Sequence, residues 1–330
     1  MVTTRGSNGP RFFVIIPKTK LDNPPANGLF MKLAPVLVFL ALGLVLPPSA
    51  QAIEPVEPQM VLIPAGSFTA GSSAAEREAY LPALREMPAR KVDLPAYWIG
   101  KHEVTNAQYQ QFMEDGGYHD ASYWSEAGWR FRQERGWEQP RRWNDPGFAG
   151  WRREQHAVAA VSLYEAEAFC RWLASKTEKA YRLPTELEWE KAARGPDGRI
   201  FPWGDDWRPS ACNWLGAEEG LRLPTMKTDG YHWTAPVGSY PQGASPYGCL
   251  DMAGNVMEWC DSRMETPALS IERPVYVLKG GCFFSGHRRL LRCAWRGGAW
   301  PEIGHVYWGE FGFRVALDGD EREAPHASMQ

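Results

Sequence analysis

Short apolar runs, broken by Gly, Pro and acid-rich stretches, make up most of this chain, and few exceed the length of a short strand. Met60–Ala65 (MVLIPA) reads as a strand closed by Gly66-Ser67, and Tyr97–Val104 (YWIGKHEV) as a second. Ser72–Arg90 between them is polar and reads as a surface excursion. Thr105 then caps a short helix with Tyr109, Phe112 and Met113 on its inner face. Two further helices carry stronger signals. Ser162 with Glu165 forms a capping box, after which Ala166, Phe169, Cys170 and Leu173 repeat at helical spacing. Thr185 with Glu188 forms another, and Gly195 suits its C-terminal cap. Beyond these the chain reads as loops and short strands, with Tyr276–Cys282 (YVLKGGC) and Gly312–Leu317 (GFRVAL) as closing strands.

The first part of the chain follows a different pattern. Met31-Lys32 precedes the apolar run Leu33–Leu46, and PPSAQA ends at Ala52. This is the basic start, apolar middle and small-residue ending of a secretory signal, with an apolar run too short to span a bilayer comfortably; a retained membrane anchor is the alternative. The expected organisation is an upstream mis-start over 1–30, a signal peptide over 31–52, one domain over 53–320 and a flexible tail over 321–330. The expected location is periplasmic or secreted, with no membrane contact after cleavage, and the expected state is a monomer.

Composition adds two constraints. Sixteen Trp, 32 Gly and 27 Pro among 330 residues describe a loop-rich α+β fold whose loops are pinned by large aromatics. The net charge of −3 gives no basic surplus for nucleic acid. The stretch 116–155 interleaves Trp124, Trp129, Trp137, Trp143 and Trp151 with Arg residues. Such a pattern suits stacking on sugars or bases, but an insert folded back on the body, with its aromatics as anchors, explains it without a ligand. Six cysteines (Cys170, Cys212, Cys249, Cys260, Cys282 and Cys293) follow the signal. An even number in an exported chain predicts disulfides, and no C-x-x-C spacing points to zinc or thioredoxin-like chemistry.

Ser245–Cys260 (SPYGCLDMAGNVMEWC) is the densest candidate for chemistry. Asp251 and Glu258 are hard oxygen donors set among glycines whose turns free carbonyl groups, a combination suited to calcium. A Gly-rich turn leading into an edge strand accounts for the same residues.

The ordered motifs MVLIPAGSF, EVTNAQYQQF, VSLYEAEAFCRWL, RLPTELEWEKAARG, FPWGDDW, APVGSYP, GCLDMAGNVMEW, LKGGCFF, RCAWR and GFRVAL, from Met60 to Leu317, resemble the formylglycine-generating-enzyme (sulfatase-modifying-factor) family. The resemblance implies a single irregular C-type-lectin-like α+β domain with structural calcium. One implied calcium site uses Asp251, Gly254, Val256 and Glu258, and a second uses Asn213, Trp214, Asp229 and Tyr231. Family oxidases bind Cu(I) through two thiolates just past a K/R-G-G-S strand and convert a substrate cysteine to formylglycine. Here Ser285 stands at the first thiol position and Leu290 or Leu291 near the second, so copper is not expected. Cys282 takes the place of the family's pocket serine. With Ser285, His287 and Arg288 it forms the candidate catalytic pocket, His287 and Arg288 being placed to lower the thiol pKa. The alternative for Cys282 is a disulfide, with Cys260 as a partner. No two of the seven histidines lie three or four residues apart, against a helical His metal site.

The function expected on this basis is an exported family member that does not generate formylglycine. It would bind or mature a peptide-like or small-molecule ligand, or a periplasmic protein client. Two alternatives stand beside it: an oxidase of siderophore chromophores or proteins with a site rebuilt around Cys282, and a carbohydrate- or surface-binding lectin-like module suggested by an exposed Trp/Arg insert.

Overall fold

Side-chain caps define where the helices begin. The computed structural model describes residues 55–80, 86–216, 231–264, 273–303 and 309–319. The upstream segment, the signal peptide and the tail lie outside these residues, as does Asp229. Strands β1 (Met60–Ile63) and β2 (Gly66–Ala70) lead into helix α1 (Ala74–Ala79), followed by β3 (Arg90–Leu94), β4 (Tyr97–Gly100), α2 (Asn106–Glu114) and α3 (Glu126–Arg135). The long helix α4 (Leu163–Thr177) and α5 (Glu186–Arg194) come next, and β5 (Met257–Arg263), β6 (Tyr276–Lys279), β7 (Gly297–Ala299), β8 (Phe311–Gly312) and β9 (Ala316–Asp318) close the chain. Reciprocal capping boxes start α1 (Ser73 with Glu76), α2 (Thr105 with Gln108), α4 (Ser162 with Glu165) and α5 (Thr185 with Glu188). Each satisfies two N–H groups that the first helical turn leaves without an intrahelical partner.

The strands form three small sheets, ordered β1-β4-β9, β2-β3 and β7-β6-β5-β8. All ladders are antiparallel except β5 with β8, which run parallel. Strand β5 is therefore interior, not the edge strand its Gly-rich approach suggested. The GFRVAL motif is also not one strand: β8 ends at Gly312 and β9 begins at Ala316, in different sheets. Arg314 lies at the crossover between them.

Regular elements are few, so side chains do much of the joining. Helix α4 buries Leu163, Ala166, Phe169, Trp172 and Leu173. Phe169 stacks on Tyr109 at 5.6 Å and meets Phe313 edge-on at 5.4 Å, which joins α2, α4 and the β8–β9 crossover in one aromatic core. The 116–155 segment packs its aromatics onto this core. Tyr118 and Trp124 are buried, and Trp129, Trp137 and Trp143 lie half-buried against the same cluster. The exposed tryptophan surface expected of a sugar-binding insert is thus absent at Trp124, Trp129, Trp137 and Trp143. Ser72–Arg90 is not simply a surface excursion either. Ser72 and Glu86 are buried, and Glu86 pairs with the buried guanidinium of Arg292.

Candidate functional site: the acidic loop and the Cys282 turn

The loop before β5 is held by backbone that only special residues adopt. Asp251 and Asn255 have φ of 56° and 57°, and Gly254 has φ of 84°. Asp and Asn tolerate the left-handed region better than other side chains. At Gly254 the constraint is also steric, because a Cβ would come within 2.2 Å of the Asn213 carbonyl oxygen. This close approach brings two of the candidate calcium segments together. The Asn255 N–H donates to the Asn213 carbonyl at 2.9 Å. Asn213 Nδ2 donates to Asn255 Oδ1 at 3.2 Å and to the Trp233 carbonyl at 2.8 Å. Asn255 Oδ1 also accepts from Ala235 N–H at 2.9 Å. The calcium site implied at Trp214 uses its backbone carbonyl; its side chain donates the indole N–H to the Pro209 carbonyl and meets the Trp207 ring at 4.9 Å. Tyr231 lies 6.2 Å from His156, ring to ring.

Three carboxyl groups and one guanidinium share the interior beside this loop. Glu258 accepts from Arg314 Nε at 2.6 Å and Nη2 at 2.7 Å, and from Trp189 Nε1 at 2.8 Å. Arg314 reaches further, donating to the carbonyls of Gly100, Lys101 and Leu250. Asp251 Oδ2 accepts from Gly238 N–H at 2.6 Å, with His102 Nδ1 at 3.9 Å. Glu103 Oε1 accepts from Asn255 Nδ2 at 3.1 Å, while Oε2 is buried without a hydrogen-bond partner. Burial, reinforced by the Asp251 and Glu258 carboxylates, holds the Glu103 carboxyl well above the usual range against the pull of Arg314.

This chemistry fits a hard cation in part. Acid outweighs base, and one carboxyl oxygen lacks a donor. Yet both Glu258 oxygens already serve Arg314, and among the described residues no three His, Cys, Asp or Glu side chains converge to hold a metal. A hard cation here would have mainly Asp251 and backbone carbonyls as ligands. Sequence reasoning missed Glu103, His102 and Arg314. The available signal was Arg314 itself, a lone cation in an otherwise apolar GFRVAL run, which demands a buried acid.

The second candidate region follows β6. Gly280 and Gly281 both have positive φ, 84° and 65°, and turn the chain into Cys282. Ser285 Oγ accepts from Cys282 N–H at 2.9 Å and lies 3.8 Å from Cys282 Sγ, both residues being buried. The structure therefore joins Cys282 and Ser285. His287 and Arg288 are exposed, and His287 Nδ1 accepts from Arg289 N–H at 3.1 Å, capping the short turn Arg288–Leu291. Leu291 is fully buried among Phe201, Trp203 and Trp214.

All six cysteines are buried and no disulfide joins any two of them, so the expected pairing of Cys282 with Cys260 is not seen. The two sit in different apolar clusters, Cys260 beside Trp189 and Cys282 beside Phe283. Burial pushes the Cys249 thiol up to about 11 and Cys293 up to about 12, and raises Cys170 and Cys260 as well.

An irregular α+β domain with small sheets, aromatic-pinned loops and an acid-rich turn before an interior strand defines the class. The chain belongs to the formylglycine-generating-enzyme family: the model of its sulfatase-modifying factor enzyme 1-like domain matches residues 47–319. Among curated relatives, it is similar to the hercynine oxygenase of Mycolicibacterium smegmatis, 38% identical over 254 residues, covering 73% of this chain and 54% of that protein. It is also similar to the formylglycine-generating enzyme of Mus musculus, 30% identical over 302 residues, covering 79% and 75%. The chain spans about half the length of the M. smegmatis oxygenase. Among solved structures, PvdO from Pseudomonas aeruginosa aligns with a TM-score of 0.56 at 24% identity, covering 79% of this chain and 95% of that one, a likeness of fold.

Proposed function

We propose that this chain is an exported family member that does not generate formylglycine and that binds or matures a peptide-like ligand or a periplasmic protein client. The observation behind this reading is the Cys282–Ser285 turn. The residue at the first copper-thiol position is Ser285, and its hydroxyl accepts from the Cys282 N–H. The second position falls on Leu290 or on Leu291, which packs in an aromatic core. Hydroxyl and alkyl groups do not hold Cu(I) as two thiolates do. The test is competition for Cu(I) against a chromophoric chelator. The reading expects the chain to withdraw no copper; withdrawal of one equivalent overturns it.

Structural calcium belongs to the same proposal, with Asp251 and the carbonyls of Gly254 and Val256 as its ligands; Glu258, the fourth residue of the implied site, has both oxygens on Arg314. It would offset the acid surplus at Glu103, Asp251 and Glu258 and tie together loops that lack a hydrogen-bond ladder. Metal analysis of the dialysed protein, with thermal unfolding before and after chelation, tests this. Bound calcium and a lowered midpoint after chelation support it; metal-free protein with an unchanged midpoint opposes it.

The relatives favour a second reading, an oxidase with different chemistry, since one of them is a hercynine oxygenase at 38% identity. Oxygen uptake with hercynine tests it directly. Uptake that needs both the chain and hercynine supports this reading and a flat trace removes it.

A further inference from the structure

A cleft of about 530 Å³ opens between the β2–β3 hairpin, the start of α5, the end of β5 and Arg296. None of its lining residues belongs to the Cys282–Arg288 turn or to the acidic loop, so it is a separate feature. Its volume lies in the range of small-ligand sites, about 300–1,000 Å³. Ala70, Met87, Leu94 and Leu187 give it apolar walls.

The charges in the cleft are unevenly satisfied. Glu186 is held by Arg296, with Nε to Oε1 and Nη2 to Oε2 both at 2.7 Å, and Arg296 is buried. Glu190 accepts from the Gly71 N–H at 2.7 Å, and from Arg194 and Lys279 at 3.3 Å each. Both lining carboxylates therefore have their cations. Arg90 and Arg263 do not have their acids. Each is exposed, and neither guanidinium has an ion pair among the described residues. The cleft is thus lined by two exposed arginines together with apolar side chains, with its own acids already neutralised.

We infer that this cleft binds a small organic carboxylate with an apolar body, the carboxylate between Arg90 and Arg263 and the body against Leu94 and Leu187. A guanidinium fork matches a carboxylate through paired N–H donors, and the walls select against small hydrophilic anions.

The probe is hexanoate, titrated into the full chain by calorimetry, with hexanamide as its neutral counterpart. Saturable binding of hexanoate, at least about tenfold weaker in either Arg90→Gln or Arg263→Gln, is the expected result. Both residues are exposed, so unchanged melting is expected of the variants. A second readout needs no variant: hexanoate should protect Arg90 and Arg263 from phenylglyoxal, scored by mass spectrometry. Absence of saturable hexanoate binding, equal affinity for hexanamide, or failure to protect either arginine overturns the assignment.

Discussion

Arg314 grips Glu258 through two hydrogen bonds of 2.6 and 2.7 Å, with neither side chain exposed to solvent. Because Arg314 sits where the chain leaves one sheet for another, the pair ties the crossover to interior strand β5. Its remaining donors hold the end of β4 and the loop at Leu250.

Removing one member of such a pair leaves the other charged and buried, which costs about 3–5 kcal/mol. Arg314→Met should therefore lower stability by that amount in urea unfolding. Arg314→Met combined with Glu258→Leu should lose less than the single change, because no charge is stranded. An Arg314→Met variant within about 0.5 kcal/mol of the parent would show that Glu258 is not left as an uncompensated buried charge.

Glu165 gives a pH dependence with a definite sign. It accepts from the Tyr118 hydroxyl at 2.5 Å and from Ser162 N–H and Oγ, yet burial raises its carboxyl from the ordinary 4.5 to about 7. Between those two values the folded chain keeps a proton that the unfolded chain has released, so stability falls as pH rises. The loss is full above pH 7 and amounts to about 3 kcal/mol. Glu165→Gln, which keeps an acceptor for Ser162 and turns an amide N–H toward the Tyr118 hydroxyl oxygen, should flatten the urea-midpoint profile across that window. An unchanged slope would assign the effect to another group.

Thiol reactivity follows from burial. Neutral, enclosed thiols react slowly, so the native chain should show little modification by an aromatic disulfide reagent. The denatured chain should show all six cysteines. A lower count in denaturant would reveal disulfides.

The helices were legible because their determinants are local. Ser162 and Glu165, or Thr185 and Glu188, lie three residues apart and satisfy each other whatever surrounds them. The Arg314–Glu258 pair spans 56 residues and depends on two sheets meeting, so only the lone Arg in an apolar run hinted at it. The interior place of β5 was hidden for the same reason: its neighbours β6 and β8 come later in the chain. Counting cysteines misled because their number carries no information about which apolar cluster each one enters. Asp251 was recognised as a site residue from its Gly-rich setting, but its acceptor role toward Gly238 N–H arises from a loop brought alongside by folding. The Arg90–Arg263 cleft is assembled from five separate stretches and leaves no local motif.

The central claim is an inherited family scaffold whose copper-gripping thiol pair is replaced by Ser285 and a leucine. The most direct measurement incubates the chain with Cu(I), oxygen and a C-x-P-x-R peptide and quantifies aldehyde by mass spectrometry. No aldehyde above a blank without protein is expected. Repeated turnover of the peptide to its formylglycine form would contradict it.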